Sequence, residues 1–308
     1  MKRVIIILGP TGVGKTGASI LLAKKLDTEI ISADSMQIYR GMDIGTAKPS
    51  EEERSAVRHH MIDIVDPTES FSAGRYVEMV APVIKEITGK GKIPIITGGT
   101  GLYIKALTRG IFSGPSADIS LRDSLLEMEN EEEGSLYAYL AAIDPEASGK
   151  IGRNDKRRII RAIEVCLKSR GKISFLQENL TKPLPYEFIK IGITRDRREL
   201  YGIIEKRVDS MIRAGLIKEV KTIIGMNPDR TPLQAIGYKE FSAYLNGDFS
   251  EEEAVRLVKR NTKRYAKRQL TWFRKEDAVS WIDVTGIYDS EGIFNSIKEV
   301  LVKLNIPI

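Results

Sequence analysis

Short β-branched runs punctuate the first hundred residues: RVIIIL at 3–8, EIIS at 29–32, MIDIV at 61–65 and IPIIT at 93–97. Runs of this length bounded by turn residues predict buried strands. Between or after them, residues 15–26, 72–88 and 100–109 carry helical spacing. Such alternation predicts an α/β fold with a parallel sheet and right-handed crossovers. Ligands in such folds sit beyond the C-terminal ends of the strands. The segments GPTG, SADSMQ and TGGTG each follow a strand directly, so three loops are expected on one edge of the sheet.

The pattern changes near residue 113. FSGPSAD is a turn-rich break, and residues 119–178 then read as helices with no strand between them. Asp118 or Ser120, and Asn154 or Asp155, are capable helix starts. A strand, FIKIGIT, returns at 188–194, followed by helices at about 196–214 and 250–275. Ser250 and Glu253 have capping-box spacing, and VSWIDV is a candidate late strand. The expected organisation is a P-loop core of residues 1–114 and 188–308, interrupted by a helical insertion at 115–187.

GPTGVGKT at 9–16 fits G-x-x-x-x-G-K-[ST] through Gly9, Gly14, Lys15 and Thr16. Glycines let backbone N–H groups turn onto phosphate oxygens, and the helix that starts here adds positive potential. Lys15 supplies a point charge and Thr16 a hydroxyl for Mg²⁺. The strand before, the helix after and the full spacing set the match apart from a chance Gly-rich turn. This nucleotide-binding loop type, shared with ATP-binding proteins, indicates a di- or triphosphate without saying which. A motor-type NTPase also needs an apolar strand ending in acids. MIDIVDP, with Asp63 or Asp66, is a poor candidate, and IPIITGGTG ends in glycines.

Asp34 sits just past the second strand, where a carboxylate can take a proton from an acceptor held near the cradle. Closing a turn is the plainer use of an aspartate there; the residues alone leave both open. The segment 259–275 holds eight Lys or Arg and no acid, with Tyr265, Trp272 and Phe273 among them. A single-sign helix with aromatics suits phosphate contact and base stacking, against a solubility surface or, for Trp272 and Phe273, a core face. RNDKRRIIR places Arg153, Arg157 and Arg161 at helical spacing, with Ile159, Ile163 and Cys166 opposite. His59 and His60 are adjacent and read as polar residues entering a strand.

Composition narrows the class. A chain of 308 residues with 42% hydrophobic and 29% charged residues suits a soluble globular protein of two domains, or one with an insertion. No apolar run reaches transmembrane length, and the MKRVIIILGPTG start is too short for a signal peptide. One cysteine, Cys166, excludes an intrachain disulfide and fits a reducing cytoplasm. Two histidines and one cysteine argue against structural zinc. The net charge of +6 hints at a polyanionic partner.

GPTGVGKT, ISADSMQIYRGMDIGTAKP, HHMIDIVDP, FSAGRY, GGTGLYIKAL, GYKE and AKRQLTWFR occur in this order across nearly the whole chain. Together they closely resemble the bacterial-type tRNA dimethylallyltransferases, also called tRNA isopentenyltransferases. The resemblance implies a P-loop-kinase-like core with a helical insertion. It implies transfer of a dimethylallyl group from dimethylallyl diphosphate to the exocyclic amine of the adenosine just 3′ of the anticodon of tRNA. Gly9, Pro10, Thr11, Gly12, Val13, Gly14, Lys15 and Thr16 would hold the donor diphosphate with Mg²⁺, Thr16 on the metal. The phosphate is then a leaving group and no ATP is spent. Arg207 matches an arginine on the diphosphate, and Asp34 the general base. Asp34, Ser35, Met36 and Gln37 would contact the target adenosine, and Thr100 and Arg122 match tRNA-contacting positions. Arg157, Arg158, Ile159, Ile160 and Arg161 match a tRNA-facing stretch of the insertion. Lys263, Arg264, Lys267, Arg268, Trp272 and Arg274 would line the RNA channel, with Tyr265 and Trp272 as stacking candidates. A cytoplasmic monomer is expected. The C-terminal zinc finger of eukaryotic relatives is not expected, because the chain ends without Cys or His.

The chemistry agrees. An adenine exocyclic amine is a weak nucleophile, so the reaction needs a stabilised leaving group and a base. The adenosine must also leave its stack to reach a buried donor. A small-molecule or nucleoside kinase would share the cradle and Asp34 but leaves the basic helix unexplained. A non-enzymatic RNA-binding protein with a relict cradle conflicts with the intact Gly14-Lys15-Thr16.

Overall fold

The computed structural model describes residues 1–112, 114–306 and 308; Ser113, within the expected FSGPSAD break, lies outside them. The chain divides into two compact units, residues 1–104 with 185–308, and residues 105–184. The first boundary falls inside a helix and not at the turn-rich break.

In chain order the first unit begins with β1 (Arg3–Leu8), α1 (Lys15–Lys25), β2 (Ile30–Ser32), α2 (Glu51–Ala56), β3 (His59–His60), α3 (Ala73–Gly89) and β4 (Ile95–Gly98). Then α4 (Gly101–Arg109) leads into the second unit, which holds α5 (Ile119–Glu131), α6 (Ser135–Ile143), α7 (Pro145–Lys150), α8 (Lys156–Ser169) and α9 (Ile173–Leu180). The first unit resumes with β5 (Glu187–Thr194), α10 (Arg197–Arg213), α11 (Leu216–Gly225), α12 (Arg230–Leu233) and α13 (Tyr238–Leu245). It closes with α14 (Glu251–Phe273), β6 (Val279–Asp283) and α15 (Ser290–Lys303).

The six strands form one sheet in the order β3-β2-β4-β1-β5-β6, and every pairing is parallel. Val4 to Leu8 are fully buried. That is why β1 reads as an unbroken β-branched run: a central parallel strand is covered on both faces. From β1 the chain first moves outward past β4 to β2, and later to the opposite side at β5. The reversal lies between β1 and β4, where the loops after both strands can open around a ligand.

MIDIV is not a strand. The edge strand is the pair His59–His60, in register with Ile30 and Ile31. Met61 and Asp63 have φ of 63° and 54°, which breaks extended chain. Ile64 and Val65 instead donate backbone bonds to Ile38 O at 2.8 and 3.1 Å. The histidines serve locally: His59 Nδ1 lies 2.7 Å from Val57 O and His60 Nε2 2.6 Å from Glu29. At α14, Ser250 accepts from Glu253 N at 3.2 Å. The Glu253 carboxylate turns to Arg256 at 2.7 and 2.6 Å, so only half of the expected capping box forms.

The second unit packs Leu125, Leu136, Leu140, Ile159 and Ile163 into its own core. Ile160 is also buried, so in the stretch 157–161 only the arginines point outward. Arg153 precedes α8 instead of sharing its face, and lies 5.0 Å from the Tyr137 ring centroid. Glu164 is fully buried and organises the unit. It accepts from Arg122 Nε and Nη2 at 2.9 and 2.8 Å, from Arg161 Nη1 at 2.5 Å and from Asp118 N at 2.7 Å. Burial alone would raise its pKa. The bonds from Arg122, Asp118 N and Arg161 outweigh it and bring the carboxyl from 4.5 to about 2. Its stabilising contribution is therefore complete above pH 4.5 and is lost as pH falls through about 2. Glu164→Ala is expected to cost about 1–3 kcal/mol, the range for stranding buried hydrogen-bonding partners. Urea unfolding of variant and wild type measures it, and the gap should shrink toward acid pH.

Candidate active site

A cavity of about 660 Å³ lies where the first unit's three loops converge, lined by Thr11, Lys15, Thr16, Asp34, Gly99, Arg207 and Tyr265 among others. Its first wall is the loop after β1. Gly14 takes φ 100° at the cap of α1, a left-handed conformation that glycine adopts without strain. Val13 is buried in the core, so its side chain faces away from the cavity. Lys15 Nζ donates to Gly9 O and Pro10 O at 2.9 and 2.8 Å. Enclosure strips water from this ammonium and pushes its pKa down to about 7, with Asp34 opposing the shift and Arg207 adding to it. An anion placed here would favour the charged form.

The second wall follows β2. Asp34 Oδ1 accepts from Met36 N at 2.9 Å and Gln37 N at 3.3 Å. The turn role foreseen for an aspartate here is thus real, but it occupies one oxygen. Oδ2 makes no hydrogen bond among the described residues. The loop is tied down by its neighbours. Thr100 Oγ1 accepts from Ser35 N at 2.9 Å, and Thr100 N donates to Ala33 O at 3.0 Å. A methyl group on Gly98 would fall 2.2 Å from Ala33 O, so the two loops touch through bare backbone. Gln37 Oε1 accepts from Ser32 Oγ at 3.1 Å, and its Nε2 donates to Thr46 O and Ala47 O at 3.3 Å. Its side chain therefore braces its own loop.

Arg207, on α10, reaches the first loop by a long contact from Nη1 to Thr11 Oγ1 at 3.4 Å. Burial lowers its pKa, and Asp34 works against that. Lys15 and Arg207 thus share one enclosed space with one carboxylate. The remaining wall belongs to α10, α11, α14 and the turn before α13, with Ile203, Val208, Met211, Leu216, Ile236 and Val258 as its apolar lining.

On α14 the inner and outer faces differ. Ala266, Gln269 and Phe273 are buried, while Arg264, Lys267, Arg268 and Arg274 are exposed. Lys263 is half-buried and paired with Glu205 of α10, as Lys259 is with Asp209 at 2.5 Å. Tyr265 lines the cavity, with Arg268 stacked 5.7 Å from its ring centroid. Trp272 packs against Gly101: a methyl group there would fall 2.3 Å from the indole. Phe273 is a core residue. Arg122 and Arg161 are held by the buried Glu164, whereas Arg157 and Arg158 stand exposed, with Arg158 paired to Asp155 at 3.4 Å.

Two further side chains brace the site. Gln269 accepts from Thr11 N and donates to Gly99 O, both at 2.9 Å. Its signal was a polar residue on the inner stripe of 266, 269 and 273. Glu219 of α11 accepts from Asp43 N, Ile44 N and Gly45 N at 3.0, 2.7 and 2.9 Å, pinning the loop at the far wall. Nothing local in the sequence marks it.

A parallel sheet whose switch point holds an intact phosphate cradle defines a P-loop α/β protein with a P-loop-kinase-like core. The family model described as IPP transferase matches residues 37–276. The chain is 54% identical to a tRNA dimethylallyltransferase of Thermodesulfovibrio yellowstonii, over 98% of this chain and 99% of that one. It is similar to the solved full-length tRNA isopentenylpyrophosphate transferase of Bacillus halodurans, with 42% identity, TM-score 0.72 and 98% of each chain covered. It is also similar to a eukaryotic dimethylallyltransferase captured acting on tRNA, with 28% identity, TM-score 0.81, and 100% of this chain and 81% of that one covered. The chain belongs to the IPP transferase family.

Proposed function

We propose that the protein transfers the dimethylallyl group of dimethylallyl diphosphate to the exocyclic amine of the adenosine 3′ to the anticodon in tRNA. The observation that carries this is the pairing of a phosphate cradle with a carboxylate that keeps one oxygen free beside it. The relatives' activity on tRNA supplies the substrate class. Lys15, Arg207 and the loop's N–H groups hold the diphosphate and take up the charge that develops as the allylic carbon–oxygen bond breaks. The amine forms the new carbon–nitrogen bond, and its proton passes to Asp34 Oδ2. The apolar wall of Ile203, Met211 and Leu216 offers the dimethylallyl tail a dry surface.

The donor set suits Mg²⁺. No group of three or more His, Cys, Asp or Glu that could hold a metal exists among the described residues. Mg²⁺ on a substrate diphosphate keeps several waters and takes few protein ligands, and Thr16 offers the P-loop hydroxyl that would hold it. Bound there, the ion would neutralise charge on the leaving diphosphate.

β4 ends at Gly98 and runs on into Gly99-Thr100 without an acid, so the strand beside the cradle lacks the carboxylate that motor-type NTPases use. Incubation with unmodified tRNA and either dimethylallyl diphosphate or ATP tests the assignment. Only the first is expected to alter the tRNA; phosphorylation from ATP would overturn it.

In this proposal the exposed face of α14 tracks the RNA backbone, together with Arg157 and Arg158. Lysines and arginines on phosphates act through counterion release, so tRNA affinity should fall steeply with salt. Arg264→Gln/Lys267→Gln is expected to flatten the log–log slope by about one to two units, at roughly 0.7–0.9 per contact. An unchanged slope in a salt titration would remove α14 from the RNA site. Lys263 contributes less, because Glu205 already holds it. No helix among the described residues is long and apolar enough to cross a membrane. A monomer working in the cytoplasm, where tRNA is found, is the form this reading expects.

A further inference from the structure

We propose that Gln269 is a positioning residue for the donor site: its amide clamps the cradle loop to the loop after β4 and so sets the cradle's shape for diphosphate. This rests on the cavity being the donor site.

Gln269 is only 6% exposed, although it sits in the most basic stretch of the chain. Its Oε1 accepts from Thr11 N and its Nε2 donates to Gly99 O, both at 2.9 Å. The two partners are of opposite kind, so the site requires one donor and one acceptor on a single planar group. An amide provides both, whereas a carboxylate or an alkyl chain does not. Thr11 is also the residue that Arg207 touches. The clamp therefore fixes the stretch of the loop on which the second cation leans. Gly99 belongs to the arrangement: a methyl group there would fall 2.1 Å from Gln269 Nε2, so only a bare backbone lets the amide reach the carbonyl. Tyr265, one turn earlier on α14, lines the same cavity. Gln269 points inward, away from the face that carries Arg264 and Lys267. Its effect should fall on the donor and not on tRNA.

Inorganic diphosphate binding, followed by calorimetry on the full chain, tests this. Gln269→Ala frees two buried hydrogen-bonding groups, and a rise of roughly tenfold in the diphosphate dissociation constant is expected. tRNA affinity should stay within about twofold, since a phosphate contact is not lost. Gly99→Ala is a second, independent lever, because it pushes the amide off its acceptor while leaving Gln269 in the chain. It should raise the constant similarly. The double variant should be no worse than Gln269→Ala alone, since the methyl then meets no amide; contacting residues couple in this way. Diphosphate affinity unchanged in a folded Gln269→Ala or Gly99→Ala protein overturns the proposal, as does strict additivity of the two. Wild-type protein that binds no diphosphate would instead overturn the donor-site assignment itself.

Discussion

Asp34→Asn is expected to bind both substrates about as wild type does and to turn over at least about 10²-fold more slowly, the usual scale for losing a general base. The choice of asparagine matters. Asp34 Oδ1 closes a turn onto Met36 N and Gln37 N, and an asparagine oxygen can do the same. If closing that turn were the residue's whole role, Asn would work and only Ala would fail. If Oδ2 takes the amine proton, both fail, because an amide cannot accept it. Single-turnover rates at saturating donor and tRNA separate the two cases. Turnover of Asp34→Asn within about threefold of wild type would leave Asp34 as a turn residue only.

Lys15→Met should lower turnover per bound donor by about 10²-fold or more, the scale for removing one donor aimed at developing charge. Methionine keeps an unbranched stem in the cradle while deleting the ammonium. The pKa of Lys15 supplies a second, sharper signature. Without an anion the ammonium is pushed down to about 7; a bound diphosphate favours its charged form. Above pH about 7 diphosphate must therefore bring a proton with it. Affinity should fall as pH rises, by up to about tenfold per unit between roughly pH 7 and 9. Isothermal titration in buffers of different ionisation heat reads this proton uptake directly. In Lys15→Met the uptake should vanish along with most of the affinity. Uptake that persists in the variant would assign the proton to another group.

The parts of the fold that could be read from the chain are those where chemistry and element boundary coincide. Gly9, Asp34 and Gly98 each stand at or just past a strand end, so parallel order alone brought their loops to one edge. The edge strand was misplaced because MIDIV looks extended by composition, yet Met61 and Asp63 adopt left-handed φ and only His59–His60 pair with β2. Charge runs hide their partners in a different way. Arg122, Arg161 and Lys263 look free in a sequence, but their carboxylate partners are brought by packing: Glu164 for the first two and Glu205 for the third. Gln269 is hidden for the opposite reason. It lies within a basic run that draws attention to the outer face of α14, while its two partners, Thr11 and Gly99, are far away along the chain.

The central claim is that the cradle holds a leaving group. Its most direct test is a stoichiometry. Unmodified tRNA is incubated with dimethylallyl diphosphate in the absence of any nucleoside triphosphate, and released diphosphate is counted against prenylated adenosine identified by mass spectrometry of tRNA digests. One diphosphate per modified adenosine, located 3′ to the anticodon and unaffected by added ATP, is the expected result. A reaction that stalls without ATP, or that releases ADP in proportion to product, would contradict it.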